Sequence, residues 1–269
     1  MRIEQSTMND PLIPIVSAYT AVRCTMSDAL EAGRFRRNPD GTVLAVSGAP
    51  VATLNGVISP HLEPRAETIE ALADCADLAD LPWSIQVRGV PSPSVAQVAA
   101  QHGLTVATTL PLMVRPREAE MPALPDAGPL RVRAVEAGEL DAYARLMEEG
   151  FGVSEGTFKA FTEPGVAKEE GFTHYVAEIH GTPVGTGMAA ISEDLLGVFN
   201  ISVVPQHRRR GYGLAVTMEM VRAGYAAGAT TAYLYSSPMG QSVYASAGFR
   251  LEEVLTAYTA PPSHDATTP

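Results

Sequence analysis

Residues 197–213 read GVFNISVVPQHRRRGYG. The first eight, Gly197 to Val204, are an apolar run rich in β-branched residues, the pattern of a buried strand. Pro205 lacks the amide needed to extend a ladder and ends it. A helix pattern starts near Gly213, so the segment predicts a strand, a loop and a helix N-terminus. Amides at a helix start have no intrahelical acceptor and carry the positive end of the helix dipole, which suits a phosphate. Gly211 and Gly213 remove Cβ atoms where an anion must approach the backbone. Arg208, Arg209 and Arg210 offer charge-assisted contacts. Three phosphate-binding patterns compete, against the plainer alternative of an ordinary strand–helix turn with solvated arginines. A P-loop needs Gly-Lys-Ser/Thr, and the loop has no lysine. A dinucleotide loop needs a third glycine where Val216 stands. The pattern that is met is Arg-x-x-Gly-x-Gly, by Arg208, Gly211 and Gly213.

Downstream, Leu214, Met218, Val221 and Tyr225 share a helix face. TTAYLYS (residues 230–236) reads as a strand, GQSVYASAGF (240–249) as a short helix with Tyr244 before a Gly248-Phe249 corner, and RLEEVLTAY (250–258) as a last strand. Upstream, HYVAEIHGTPVGTGMAAI (174–191) alternates around a tight turn and predicts a β-hairpin. Residues 116–130, PREAEMPALPDAGPL, hold four prolines without apolar periodicity and predict a linker.

The linker divides the chain into units 1–115 and 131–260, with a disordered tail at 261–269. The first unit repeats the pattern of the second in outline. TVLAVSGAPVATLNGVI (42–58) matches the later hairpin at a constant offset of 133, through Gly48, Pro50, Val51, Thr53 and Ile58. A helix with Ile69, Leu72, Ala76 and Ala79, the strand WSIQVRG, a helix with Val95, Val98 and Ala99, a Gly103-Leu104 corner and the strand TVATTLPLMV follow. The corners Gly103-Leu104 and Gly248-Phe249 are offset by 145, so the second unit has twelve extra residues, within LLGVFNISVVPQHRRRG. The chemistry is expected in what only one unit has.

Composition bounds the function. Hydrophobic residues make up 46% and charged residues 18% of 269, which excludes a disordered chain. No apolar run is long enough for a membrane helix, and no signal peptide is read at the start, so a cytoplasmic protein is expected. The net charge of -11 disfavours nucleic acid and anionic membranes as partners. Cys24 and Cys75 cannot make a disulfide scaffold, and no cluster has metal-ligand spacing, so no metal is expected.

The Arg-x-x-Gly-x-Gly loop, the Tyr-x-x-x-Gly-Phe element about thirty residues later and the strand Asn200-Ile201-Ser202-Val203 together resemble the GNAT acetyltransferases over roughly residues 130–258. The first unit is similar only in outline, like the degenerate copy of tandem members. The resemblance implies two tandem α/β (α+β) units, each with a mixed, mostly antiparallel sheet flanked by helices. It implies acetyl-CoA as acyl donor and a primary amine of a small molecule or peptide as acceptor, in a monomer or homodimer. By the same resemblance, backbone groups of Ile201, Ser202 and Val203 bind the pantetheine arm. Amides from Arg209 through Arg210, Gly211, Tyr212 and Gly213 to Leu214, beside Arg208, hold the pyrophosphate. The resemblance also implies that Tyr244 protonates the departing thiolate, with a core tyrosine under the Gly-Phe corner as the plainer alternative. Two departures stand out. Ser237 occupies the place of a CoA-contacting asparagine, and Ala232 lies near that of a glutamate base. Glu193, Asp194, His174 or a water chain are the alternatives for the base, although each of the three side chains reads more readily as a loop or strand-edge residue. A non-catalytic CoA-binding sensor or scaffold is the alternative function. Trp83 reads as core, Met188 as core with the lining of an acceptor pocket as the alternative, His102 as a helix-end cation, and His61, His180 and His207 show no metal-like pairing.

Overall fold

The apolar runs become strands in the computed structural model, which describes residues 10–118, 128–238 and 240–262. The first half forms α1 (Ile13–Ala29), β1 (Arg34–Arg37), β2 (Val43–Val46), β3 (Asn55–Ser59), α2 (Ala66–Ala73), β4 (Ser84–Arg88), α3 (Pro93–Gln101) and β5 (Val106–Pro116). The second half forms β6 (Leu130–Ala134), α4 (Leu140–Phe151), α5 (Pro164–Ala167), β7 (Phe172–Ile179), β8 (Thr182–Ser192) and β9 (Leu195–Val203). It ends with α6 (Tyr212–Ala226), β10 (Thr231–Tyr235), α7 (Gln241–Ser246) and β11 (Arg250–Thr259). The fold is α+β, with a mixed, mostly antiparallel sheet. Among the described residues only β3/β4 and β9/β10 pair in parallel, each across a helix, as parallel neighbours require.

The two halves share one sheet. Its eleven strands run in the order β1-β2-β3-β4-β11-β5-β10-β9-β8-β7-β6. The last strand of each half is therefore exchanged: β5 lies between β10 and β11, and β11 lies between β4 and β5. The core follows the same plan. Ile15, Val16 and Tyr19 of α1 pack with Leu112 and Val114 of the first half and with Leu195, Tyr233 and Leu255 of the second. Arg88 on β4, almost wholly buried, is paired with Asp10 and, at 2.7 Å, with Glu253 on β11.

The expected order of helix, strand, helix, glycine corner and strand recurs, with Gly103 and Gly248 both at positive φ. The hairpin match does not hold. β3 pairs in parallel with the strand after its helix, as β9 does, so β2–β3 corresponds to β8–β9 and not to β7–β8. The offset of 133 followed turn residues, and the turns differ. His180 and Gly181 (φ 50° and 81°) make a two-residue turn, whereas Ser47 to Leu54 form a longer loop containing a 3-10 turn at Ala52–Leu54. The first-half helix is also shorter than expected. It ends at Ala73, and a 3-10 turn, Ala76–Leu78, brings Leu78 into the core while Ala76 and Ala79 stay exposed. Of the linker, residues 119–127 lie outside the described residues, as do residues 263–269 of the expected tail.

Candidate functional site

The site opens where two parallel strands part. β9 and β10 pair only from Leu195/Thr231 to Gly197/Tyr233. β10 then stays with β5 as far as Tyr235, while β9 follows β8 to Val203. From Val198 onward β9 has no strand partner on its β10 side. A bulge at the same place turns the strand. Asn200 and Ile201 together face Gly187, and Asn200 has a φ of 54°. Thr186 holds the bulge: its hydroxyl donates to the Asn200 carbonyl at 2.8 Å and lies 2.7 Å from the Ser202 hydroxyl. The Ser202 side chain is thus buried and engaged. It also lies against α4, where a Cβ on Gly150 would sit 2.3 Å from Ser202 Oγ, so only glycine allows α4 to approach this closely.

Beyond Val203 the predicted loop is present. A 3-10 turn, Pro205–His207, leads to Arg209 at φ 60° and to Gly211 at φ 81°, the N-cap of α6. No side chain caps the helix. The first α6 amide with an acceptor is that of Ala215, bonded to the Gly211 carbonyl at 3.0 Å. The consecutive amides from Arg209 to Leu214 meet no acceptor among the described residues. Unpaired amides at a helix start, with the dipole behind them, fit a diphosphate. They face a groove of about 360 Å³ lined by Val203, His207, Arg208, Arg209 and the residues from Gly211 to Leu214, with Ser242, Val243 and Ser246 of α7 opposite.

The three arginines have different places. Arg208 Nε donates to the Val203 carbonyl at 3.0 Å and Nη2 to the Gly150 carbonyl at 2.8 Å, so it braces the loop. Arg209 lines the groove, whereas Arg210 is exposed and does not. The Tyr212 side chain is buried in the core beneath α6, which leaves its backbone to the groove. His207 shows no metal-like pairing in the sequence, which gave no sign of a place at the groove. It lines the groove, with Nδ1 buried and unpartnered.

A second cavity, of about 270 Å³, follows along β9. Val198, Phe199, Asn200 and Ile201 line it, together with Tyr244 of α7 and Ser237. α7 therefore walls both openings. The Tyr244 ring meets Phe249 edge-on at 6.2 Å, and burial pushes its phenol up to about 12. Ser237 Oγ accepts from the Gly240 amide at 3.2 Å and so holds the start of α7. The remaining wall includes the first half: Tyr19, Val22, Arg23 and Met26 of α1, with Thr53, Leu54 and Leu110. α1 was missed in the sequence, although Ile15, Tyr19, Val22 and Met26 recur at helical spacing. Met188, expected in the core, is 3% exposed and also lines this cavity.

The alternative bases lie elsewhere. His174 is buried edge-on against Tyr143 at 5.0 Å, does not line the cavity, and burial lowers its pKa to about 4. Glu193 and Asp194 form the turn before β9, at the end of that strand opposite the loop, where Asp194 accepts from the Thr230 hydroxyl at 2.6 Å. Ala232 is buried in the sheet. Trp83 packs on the first-half core with His102 at its edge, 5.4 Å away. No metal-binding cluster exists among the described residues, and no helix there is long and apolar enough to cross a membrane.

Residues 170–251 match the family described as acetyltransferase (GNAT) domain. The fold is similar to that of a GCN5-related N-acetyltransferase from Kribbella flavida, at 18% identity and a TM-score of 0.67, over 96% of this chain and 98% of that one. A Drosophila protein is similar at 14% identity and a TM-score of 0.60, over 93% and 89% of the two chains. A functionally unknown conserved protein from Staphylococcus epidermidis is similar at 12% identity and a TM-score of 0.58, over 85% and 94%. These are likenesses of fold. No curated protein matches the sequence.

Proposed function

We propose, from the match of residues 170–251 to the GNAT acetyltransferase domain, that the chain is an acetyl-CoA-dependent N-acetyltransferase that acylates a primary amine. The observation that carries this reading is the run of unbonded amides from Arg209 to Leu214, beside a strand edge left open by the parting of β9 and β10. The amides and Arg209 would hold the diphosphate, and the open edge from Ile201 to Val203 the pantetheine arm. Arg208 positions the loop, and Ser237 the start of α7. The donor supplies an activated thioester.

The chain's own residues have three tasks: to orient the amine, to exclude water and to stabilise the leaving sulfur. The aromatic cavity does the first two. Tyr244 faces the third, and its acidity decides how. A thiol has an unperturbed pKa near ~8.5, so outright transfer from a phenol pushed up to about 12 is uphill by roughly 5 kcal/mol. Tyr244 therefore donates a hydrogen bond to the sulfur as the C–S bond breaks, and the proton shed by the nitrogen leaves through solvent. Among the described residues no Asp, Glu or His lines the cavity, so the amine must arrive neutral.

The absence of a base from that lining favours one second reading, a CoA-binding protein without transfer. Thiol release from acetyl-CoA across a panel of amines separates the two. The enzyme releases thiol with at least one amine, whereas a sensor binds acetyl-CoA and releases none.

A further inference from the structure

The acceptor cavity has an unusual charge balance. Its walls are apolar and aromatic, with Tyr19, Phe158, Phe161 and Phe199 among them. Among the described residues, Arg23 is the one charged side chain that lines it. Arg23 Nη1 donates to the Thr53 carbonyl at 2.7 Å, and the side chain forms no ion pair with a described Asp or Glu. In a protein of net charge -11, Arg36, Arg88, Arg133 and Arg222 all find carboxylates, but this half-buried guanidinium does not. A cation beside an apolar wall is unfavourable until an anion satisfies its remaining donors. A carboxylate matches the planar fork in charge and shape.

We infer that the acceptor is a hydrophobic amino acid, whose side chain fills the aromatic cavity and whose carboxylate is bound by Arg23. This rests on the acetyltransferase reading of the same site. The cavity of about 270 Å³ is at the small end for a ligand site, which suits an amino acid better than a polypeptide. Polyamines and aminosugars carry several cations and would meet Arg23 with no carboxylate in the lining to offset it. The amine end then faces Asn200 and Tyr244, which belong to the second half, while α1 of the first half selects the acid.

The test compares L-phenylalanine with 2-phenylethylamine, and L-leucine with isoamylamine, by thiol release from acetyl-CoA. Each pair differs only in the carboxylate. The expected result is a preference of about 10- to 100-fold in kcat/KM for the amino acid, expressed mainly in KM. In Arg23→Gln the preference collapses toward unity, and Arg23→Lys, which keeps the charge but not the fork, retains part of it. Acetyl-CoA titration, at a groove that Arg23 does not line, reports that each variant is folded. Calorimetry with N-acetyl-L-phenylalanine in the presence of CoA gives a readout without turnover, and its affinity falls by a similar factor in Arg23→Gln. Equal use of both members of a pair, or a preference unchanged in Arg23→Gln, overturns the inference. If acetyl-CoA binds and no hydrophobic amino acid releases thiol, the acceptor is wrong and the donor site stands. If acetyl-CoA does not bind, the acetyltransferase reading fails first, and this inference with it.

Discussion

Arg208 in the loop before α6 donates to the Gly150 carbonyl in the last turn of α4, at 2.8 Å, and so fixes the loop against a second element. The same guanidinium bonds the Val203 carbonyl at 3.0 Å, at the end of the open strand. The most prominent charge in the motif therefore holds geometry, and the proposed diphosphate contacts fall to the backbone amides and Arg209. Arg208→Ala should lower acetyl-CoA affinity about tenfold or more, and Arg208→Lys should not restore it, because an ammonium cannot make both bonds. Arg210→Gln, at an exposed position, should cost less than about fivefold and only at low salt. Calorimetry at two salt concentrations checks this, and equal losses at the two positions would contradict it.

Tyr244→Phe keeps the ring against Phe249 and removes the hydroxyl. Turnover should fall roughly 10²-fold, about 2.7 kcal/mol, with little change in acetyl-CoA affinity. The raised phenol stays protonated until pH approaches about 12, so it contributes no descending limb below that. The rate should rise with pH as the acceptor amine loses its proton, since no Asp, Glu or His among the described residues lines the cavity to take it. A bell centred near neutrality would contradict this account, as would full turnover in the phenylalanine variant.

The exchange of β5 and β11 makes the halves interdependent. A fragment of residues 117–269 would leave β10 and β11 without the strand that joins them, exposing two edges at the centre of the sheet. It should be unstable or aggregated and should fail to bind acetyl-CoA. A monomeric fragment with the stability of the full chain would refute this.

Arg88 stitches the halves through Glu253 and is paired within its own half with Asp10. Its guanidinium lowers the Asp10 carboxyl below the ordinary value. A depressed carboxylate contributes stability above its unfolded pKa, near ~3.9, and that contribution is lost as pH falls through the lower folded value. Asp10→Asn should therefore destabilise the protein at pH 7, and the gap from wild type should close in acid. The loss is expected to be about 2–4 kcal/mol, because Arg88 keeps Glu253. Thermal unfolding at pH 7 and pH 3 measures it, and a gap independent of pH would argue against the pair.

The glycine-bearing loop before α6 and the Tyr244 corner were legible in the sequence, because both depend on local backbone requirements: Gly211 at positive φ, and Gly248 closing a short helix. The strand exchange was not legible. It depends on which edges meet in space, and nothing local in the strand from Val106 to Pro116 says that it leaves its own half. The hairpin match misled because Gly48 and Gly181 mark turns of different length, one strand apart in the topology. Arg208 was legible as a residue and not as a role, since the Gly150 carbonyl lies 58 positions away. The acceptor cavity escaped because α1, which brings Arg23 to it, carries no capping side chain to announce its start.

The central claim is that one acetyl-CoA binds, on the amides that open α6. Calorimetric titration of the full chain with acetyl-CoA tests it most directly, with Gly211→Asp as the paired variant. At φ 81° an aspartate is strained, and its carboxylate would repel the diphosphate. The account predicts one site per chain, lost in the variant while the fold persists. Two equivalent sites, or unchanged affinity in Gly211→Asp, would contradict it.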